Sequence, residues 1–151
     1  MTTPSARLAA LGIALPAVVP PVAAYVPGVR SGPYVYTSGQ LPMRDGALPA
    51  TGKVGAAVSA EVGYDLAKQC AINALAVVDS LVGIDNVKQV VKVVGFVASA
   101  SGFTAQPAVI NGASEFLVEV FGEAGQHARS AVGVAALPLD APVEVELIVE
   151  V

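Results

Sequence analysis

The sequence predicts an α+β domain in which two helices cover one face of a mixed sheet, with elements in the order β-β-α-β-α-β-β. Three observations carry this expectation. Two segments, after Ser59 and after Gln106, repeat apolar residues at helical spacing. Five runs are rich in β-branched and aromatic residues with two-residue alternation. Gly- and Pro-bearing stretches separate them all, and strands interleaved with helices favour helices layered on a sheet.

Residues 1–21 read as an irregular N-terminal arm that allows a short helix at Ser5–Leu11, and residues 22–151 read as one domain. The first two strands are "AAYVPGV" and "PYVYTSGQL", separated by the turn signal "RSG". Alternation puts Tyr34, Tyr36 and Ser38 on one face, and Gly39 directly after them permits a twist or a close approach to a ligand. "MRDGALPATGKVGAAV" is a loop. Ser59 is a natural N-cap, with Glu61 in the first turn, for a helix to about Val82. Its apolar stripe is Val62, Leu66, Cys70, Ala74, Val77 and Leu81, with Glu61, Asp65 and Lys68 on the solvated side. Cys70 therefore reads as a core residue, since nothing nearby in sequence would lower its pKa as a nucleophile requires.

Residues 88–98 form the third strand, and "GFT" turns into the second helix, Gln106–Phe121. Val109, Phe116 or Leu117, and Val120 point inward there, and "GEAGQ" ends it. Residues 129–136 and 142–151 are the last strands, joined by "LPLDAP". In the final one Glu144, Glu146, Ile148 and Glu150 share one face, and Val143, Val145, Leu147, Val149 and Val151 the other.

The chain is 54% apolar and only 13% charged, against roughly 25% charged in an ordinary domain. So little charge points to a membrane or to extra burial between copies. The apolar N-terminal stretch is broken by Pro16, Pro20 and Pro21, short of the about 20 uninterrupted residues of a span. With Arg7 as its one early charge it is also a poor secretory signal. Self-association through the helix-free sheet face is the expectation. One cysteine excludes an intrachain disulfide and fits a reducing, cytoplasmic location. One Cys and one His cannot build a usual zinc site, so no such metal site is expected. A net charge of −4 without a Lys/Arg cluster argues against a nucleic-acid partner.

Arg129 is one of only four arginines and opens a strand that looks buried, with acids on the next strand along. It could grip a small anion through its planar fork, or pair structurally with Glu144 or Glu146. Glu144 could be a base or a surface charge. His127, two residues before Arg129, reads as a loop residue, because a ribonuclease would want a second base and a phosphate clamp.

"TSGQLP" at 37–42, "VVKVVGFV" at 90–97, "ARSAVGVAALP" at 128–138 and "VEVELIVEV" at 143–151 together resemble the reactive-intermediate deaminase family, RidA/YjgF, also labelled translation inhibitor or endoribonuclease L-PSP. The resemblance runs from about Tyr25 to Val151. It implies a chorismate-mutase-like fold, a homotrimer with pockets between subunits, and cofactor-free hydrolysis of 2-imino and enamine acids to 2-keto acids and ammonia. It also assigns positions. Arg129 matches the carboxylate-gripping arginine and Glu144 the acid near the reacting water. Tyr25 matches the tyrosine that closes the pocket, Ser38 and Gly39 the pair that reaches the substrate, and Asn111 the recurrent helix asparagine. For Tyr25 simple packing, and for Asn111 service to backbone groups at the helix start, stay open as alternatives. The pattern departs where Ala131 replaces a frequent cysteine, in a longer loop before the first helix, in a few added residues between Phe103 and Asn111, and in the N-terminal arm. The alternative function is a non-catalytic trimer that binds a small carboxylate or regulates a partner protein.

Overall fold

The computed structural model describes residues 2–21 and 23–151. The elements are α1 (Pro4–Ala10), β1 (Gly28–Ser31), β2 (Tyr34–Thr37), α2 (Ala60–Val82), β3 (Gln89–Ala98), α3 (Gln106–Phe121), β4 (Ala128–Val134) and β5 (Val143–Glu150). The domain follows the expected β-β-α-β-α-β-β order. The sheet order is β1-β2-β5-β3-β4, antiparallel throughout except for the parallel β3–β4 pair. A parallel pair needs a crossover, and α3 supplies it between β3 and β4. α2 and α3 pack on each other and on one face of the sheet.

Each helix forms where its local chemistry directs. Ser59 caps α2 by accepting the Val62 amide at 3.2 Å, with Glu61 in the first turn. Of the α2 stripe, Leu66, Cys70, Ala74 and Val77 are buried, whereas Val62 and Leu81 at its two ends are exposed. In α3 Val109, Phe116, Leu117 and Val120 are all buried, so Phe116 and Leu117 both face the core. β5 alternates as expected, with Val143, Val145, Leu147 and Val149 buried.

The first strand departs from expectation. Tyr25 lies in a bend, Val26 belongs to no strand, and pairing starts only at Gly28. Pro27 has no N–H to donate to a ladder, which delays the strand. Arg30 and Ser31 pair with Val35 and Tyr34, so the turn is Gly32–Pro33 rather than 30–32. Gly32 has φ +59°, as the first position of a two-residue type II′ hairpin requires.

The short helix allowed near the N-terminus forms as α1. Thr3 caps it through the Ala6 amide, and Leu8 enters the core. Ser5 ties it to the short turn after α2, donating its amide (2.8 Å) and hydroxyl (2.6 Å) to the Asp85 carboxylate. That pair of donors holds the Asp85 carboxyl below its ordinary value. The loop before α2 is anchored too. Val54 is fully buried and bridges Ser99, and Asn73 of α2 donates to the Leu41 and Met43 carbonyls, both at 3.0 Å.

α2 and α3 come closest where Gly112 meets the backbone carbonyl of Tyr64, leaving no room for a Cβ. Gly112→Ala should therefore separate the helices despite alanine's better helix propensity. Chemical denaturation should show a loss of ~1–3 kcal/mol, the usual scale of core overpacking. A stabilised variant would contradict the close crossing.

Candidate functional site

The residues singled out in the sequence gather in two clusters on opposite faces of the sheet. Register decides this. Arg129 on β4 is paired with Val93, and Val93 with Leu147; both are buried beneath the helices. Glu144 is paired with Phe96, and Phe96 with Val132, one residue out of phase and so on the helix-free face.

The first cluster forms at the sheet edge between β4 and α3. Arg129 Nη1 donates to Asn111 Oδ1 at 2.8 Å and to Ser114 Oγ at 3.2 Å. Asn111 and Ser114 stand three residues apart, hence on one side of α3. Both partners are neutral, and Glu144 and Glu146 lie on the other face, so the structural ion pair open at the level of sequence is not what holds the guanidinium. Among the described residues these bonds use Nη1 alone. Nε and Nη2 keep their N–H groups for another partner. Asn111 serves Arg129 rather than the backbone at the helix start.

His127 completes this cluster. Its Nδ1 is 2.6 Å from the Gly125 carbonyl and its Nε2 is 2.9 Å from Ser114 Oγ. It lies in the connection before β4, as expected, but it is half-buried and engaged at both ring nitrogens. Burial first, and the nearby Arg129 charge as well, push its pKa below the ordinary 6.5, while the Gly125 carbonyl opposes them. Sequence reasoning missed Ser114 and discounted His127. The signal was spacing: Ser114 is three residues after Asn111 on a helix, and His127 two before Arg129 along an extended segment. A cleft of about 450 Å³ opens beside the pair, lined by Ser114, Glu115, Val118, Glu119, Gln126 and His127.

The second cluster is Glu144 with the segment after β2. Gln40 pairs with Val145 and draws Gly39 against the Glu144 side chain. A Cβ on Gly39 would lie 2.9 Å from Glu144 Cδ and overlap its carboxylate oxygen, so glycine lets the carboxylate rest in this position and a larger residue would displace it. Ser38 donates its hydroxyl to the Val26 carbonyl at 2.6 Å and its amide to Pro27 at 2.7 Å. These bonds bring the Tyr25 segment to the same place, with Tyr25 itself exposed. Burial, and then the like charge of Glu146, raise the Glu144 pKa above its ordinary 4.5. A half-buried carboxylate with a raised pKa is suited to taking up and returning a proton.

Cys70 belongs to neither cluster. It is fully buried in the core and burial pushes its thiol pKa up, the opposite of nucleophile activation. Among the described residues no group of three or more His, Cys, Asp or Glu is arranged to hold a metal ion, and no helix is long and apolar enough to cross a membrane.

Comparison with known proteins identifies relatives over nearly the whole chain. Residues 5–151 match the model of the family described as "YjgF/chorismate mutase-like, putative endoribonuclease". Protein TCP17 of Trypanosoma cruzi is 45% identical over 148 residues, 97% of this chain and 92% of the relative. The crystal structure of Atu1372 from Agrobacterium tumefaciens, a protein of unknown function, is 44% identical. It superimposes with a TM-score of 0.90 over 99% of this chain and 93% of that one. E. coli TdcF, solved with bound serine, is 28% identical with a TM-score of 0.65 over 87% of this chain and 91% of that one.

Proposed function

Because the chain belongs to the YjgF/chorismate mutase-like family, we propose that it is a deaminase that hydrolyses reactive 2-imino and enamine acids to 2-keto acids and ammonia. The pocket is completed between copies of a homotrimer. The observation that carries this is the Arg129 guanidinium, fixed through Nη1 by two neutral acceptors with the rest of its fork unspent. Such a group binds a carboxylate bidentately. TdcF holds serine, which carries a carboxylate beside a carbon bound to nitrogen, and this supports a substrate of that class.

The geometry supports a second copy. Within one chain Arg129 and Glu144 face opposite sides of the sheet and cannot act on one small molecule. Two different surfaces meeting head to tail form a ring where the rotation between copies closes. The helix-free face exposes Val29, Tyr36 and Val132, apolar groups suited to burial there.

In the reaction, Arg129 holds the substrate carboxylate and thereby places the imine carbon. Glu144 of a neighbouring copy takes a proton from water as the water oxygen adds to the carbon of the protonated imine, giving a neutral carbinolamine. Glu144 then returns that proton to nitrogen, the C–N bond breaks and ammonia leaves, and the hydroxyl proton passes to solvent as C=O forms. An enamine enters by protonation at carbon to give the imine. Ribonuclease chemistry fits less well: the chain has one histidine, its Nε2 already bonded to Ser114, and a net charge of −4.

The test is ammonia release from an imino acid generated in situ by an amino-acid oxidase. Release above the spontaneous rate is expected. Binding of a keto acid without faster release would favour the non-catalytic carboxylate-binding trimer instead.

The pH profile gives a second check. A base must be ionised, so a Glu144 pKa raised by burial moves the acid limb of kcat/KM to higher pH than an ordinary glutamate would give. Glu146→Gln removes the like charge and should shift that limb to lower pH, with little change in rate at neutral pH. A limb that stays in place would remove Glu144 from the role of base.

A further inference from the structure

From the hydrogen-bond chain Gly125–His127–Ser114–Arg129 we infer that His127 is a positioning residue, which sets the orientation of the Arg129 guanidinium through the Ser114 hydroxyl. Donor and acceptor accounting fixes the direction of every bond. The Gly125 carbonyl can only accept, so His127 Nδ1 carries the ring hydrogen. In the neutral ring Nε2 then bears a lone pair and accepts the Ser114 hydroxyl hydrogen. With its hydrogen committed to His127, Ser114 Oγ presents a lone pair to Arg129 Nη1. Asn111 Oδ1 accepts from the same nitrogen. Both hydrogens of Nη1 are thus directed, and the guanidinium plane is held.

Protonation of His127 would reverse one link. Nε2 would donate to Ser114 Oγ, the hydroxyl hydrogen would have to turn elsewhere, and a second cation would stand beside Arg129. The other charged groups near the ring are Glu115 and Glu119 of α3, which line the same cleft, and Glu123 of the turn that carries Gly125. Burial lowers the pKa of the ring and so favours its neutral form. The arrangement is a ligand-orienting network of the kind that places metal ligands elsewhere, built here around an arginine.

Arg129 as the grip for a substrate carboxylate rests on the function proposed above, whereas its orientation by His127 can be read without any substrate. Side-chain NMR signals of the Arg129 Nε and Nη groups should shift as His127 titrates in the wild-type protein. In Ser114→Ala, where the link is cut, they should lose that dependence. His127→Asn keeps a donor for Gly125, but its one acceptor, Oδ1, falls where the ring has Cδ2, short of the Nε2 position that accepts the Ser114 hydroxyl. It should weaken binding of 2-oxobutanoate, measured by calorimetry, by about 10-fold. Adding Ser114→Ala to it should cost nothing beyond Ser114→Ala alone, because both act through one path. Arg129 signals indifferent to His127 titration, or losses from the two substitutions that simply add, would overturn the inference. Coupled signals in a protein that binds no 2-oxobutanoate would uphold the positioning role while defeating the proposed function.

Discussion

Arg129→Ala is expected to lower kcat/KM for imino-acid hydrolysis by ~10²–10³-fold, and Arg129→Lys to recover little of it. The guanidinium keeps one free edge of its planar fork, formed by Nε and Nη2, and a lysine offers a point charge without that plane. Lysine would also reach Asn111 and Ser114 with different geometry, so even the anchoring bonds would change. The fold should survive both substitutions. Arg129 sits on an edge strand and is only half-buried, and the two acceptors it leaves are themselves part-buried and can take water. A lost hydrogen bond of this kind costs about 1 kcal/mol. Turnover and thermal unfolding should therefore separate. Unfolding of Arg129→Ala with loss of activity in proportion would mean that the arginine is there for structure.

What could be read from the sequence was whatever depends on periodicity. Both long helices run where apolar spacing puts them, α2 with its Ser59 cap as well, and β5 alternates residue by residue. The hairpin was misplaced by a few residues because a proline's missing N–H outweighs the strand propensity of Tyr25 and Val26. The site was legible only in part, for a geometric reason. A strand's two faces differ by one residue, so which face Arg129 occupies depends on its register with β3, and no property of "ARSAVGV" fixes that register. Arg129 and Glu144 look like neighbours along the chain and across strands, yet β3 separates β4 from β5 and their phases differ. Ser114 and His127 were invisible as a pair because their meeting depends on how α3 lies against β4. That packing is set by tertiary contacts, including the Gly112–Tyr64 crossing.

Glu144→Gln should reduce turnover by about 10²–10⁴-fold while leaving 2-keto acid binding nearly intact. The amide keeps the shape of the side chain, so the tight seat against Gly39 is preserved, but it cannot accept a proton from water. Glu146→Gln is the control at neutral pH; a damaging Glu146→Gln with a silent Glu144→Gln would move the functional acid two residues along the strand. The two clusters lie on opposite faces of each chain, and this permits a sharper experiment. Arg129→Ala and Glu144→Gln, each inactive alone, should restore activity when unfolded together and refolded as a mixture. In a closed three-membered ring every mixed trimer contains one contact where an intact Arg129 meets an intact Glu144, so random mixing should recover about a quarter of wild-type sites. A chain carrying both substitutions, mixed with wild type, supplies the reference for dilution alone. If the inactive pair stays inactive while trimers demonstrably mix, Arg129 and Glu144 do not serve one pocket from two copies, and the hydrolytic site must be sought within a single cluster.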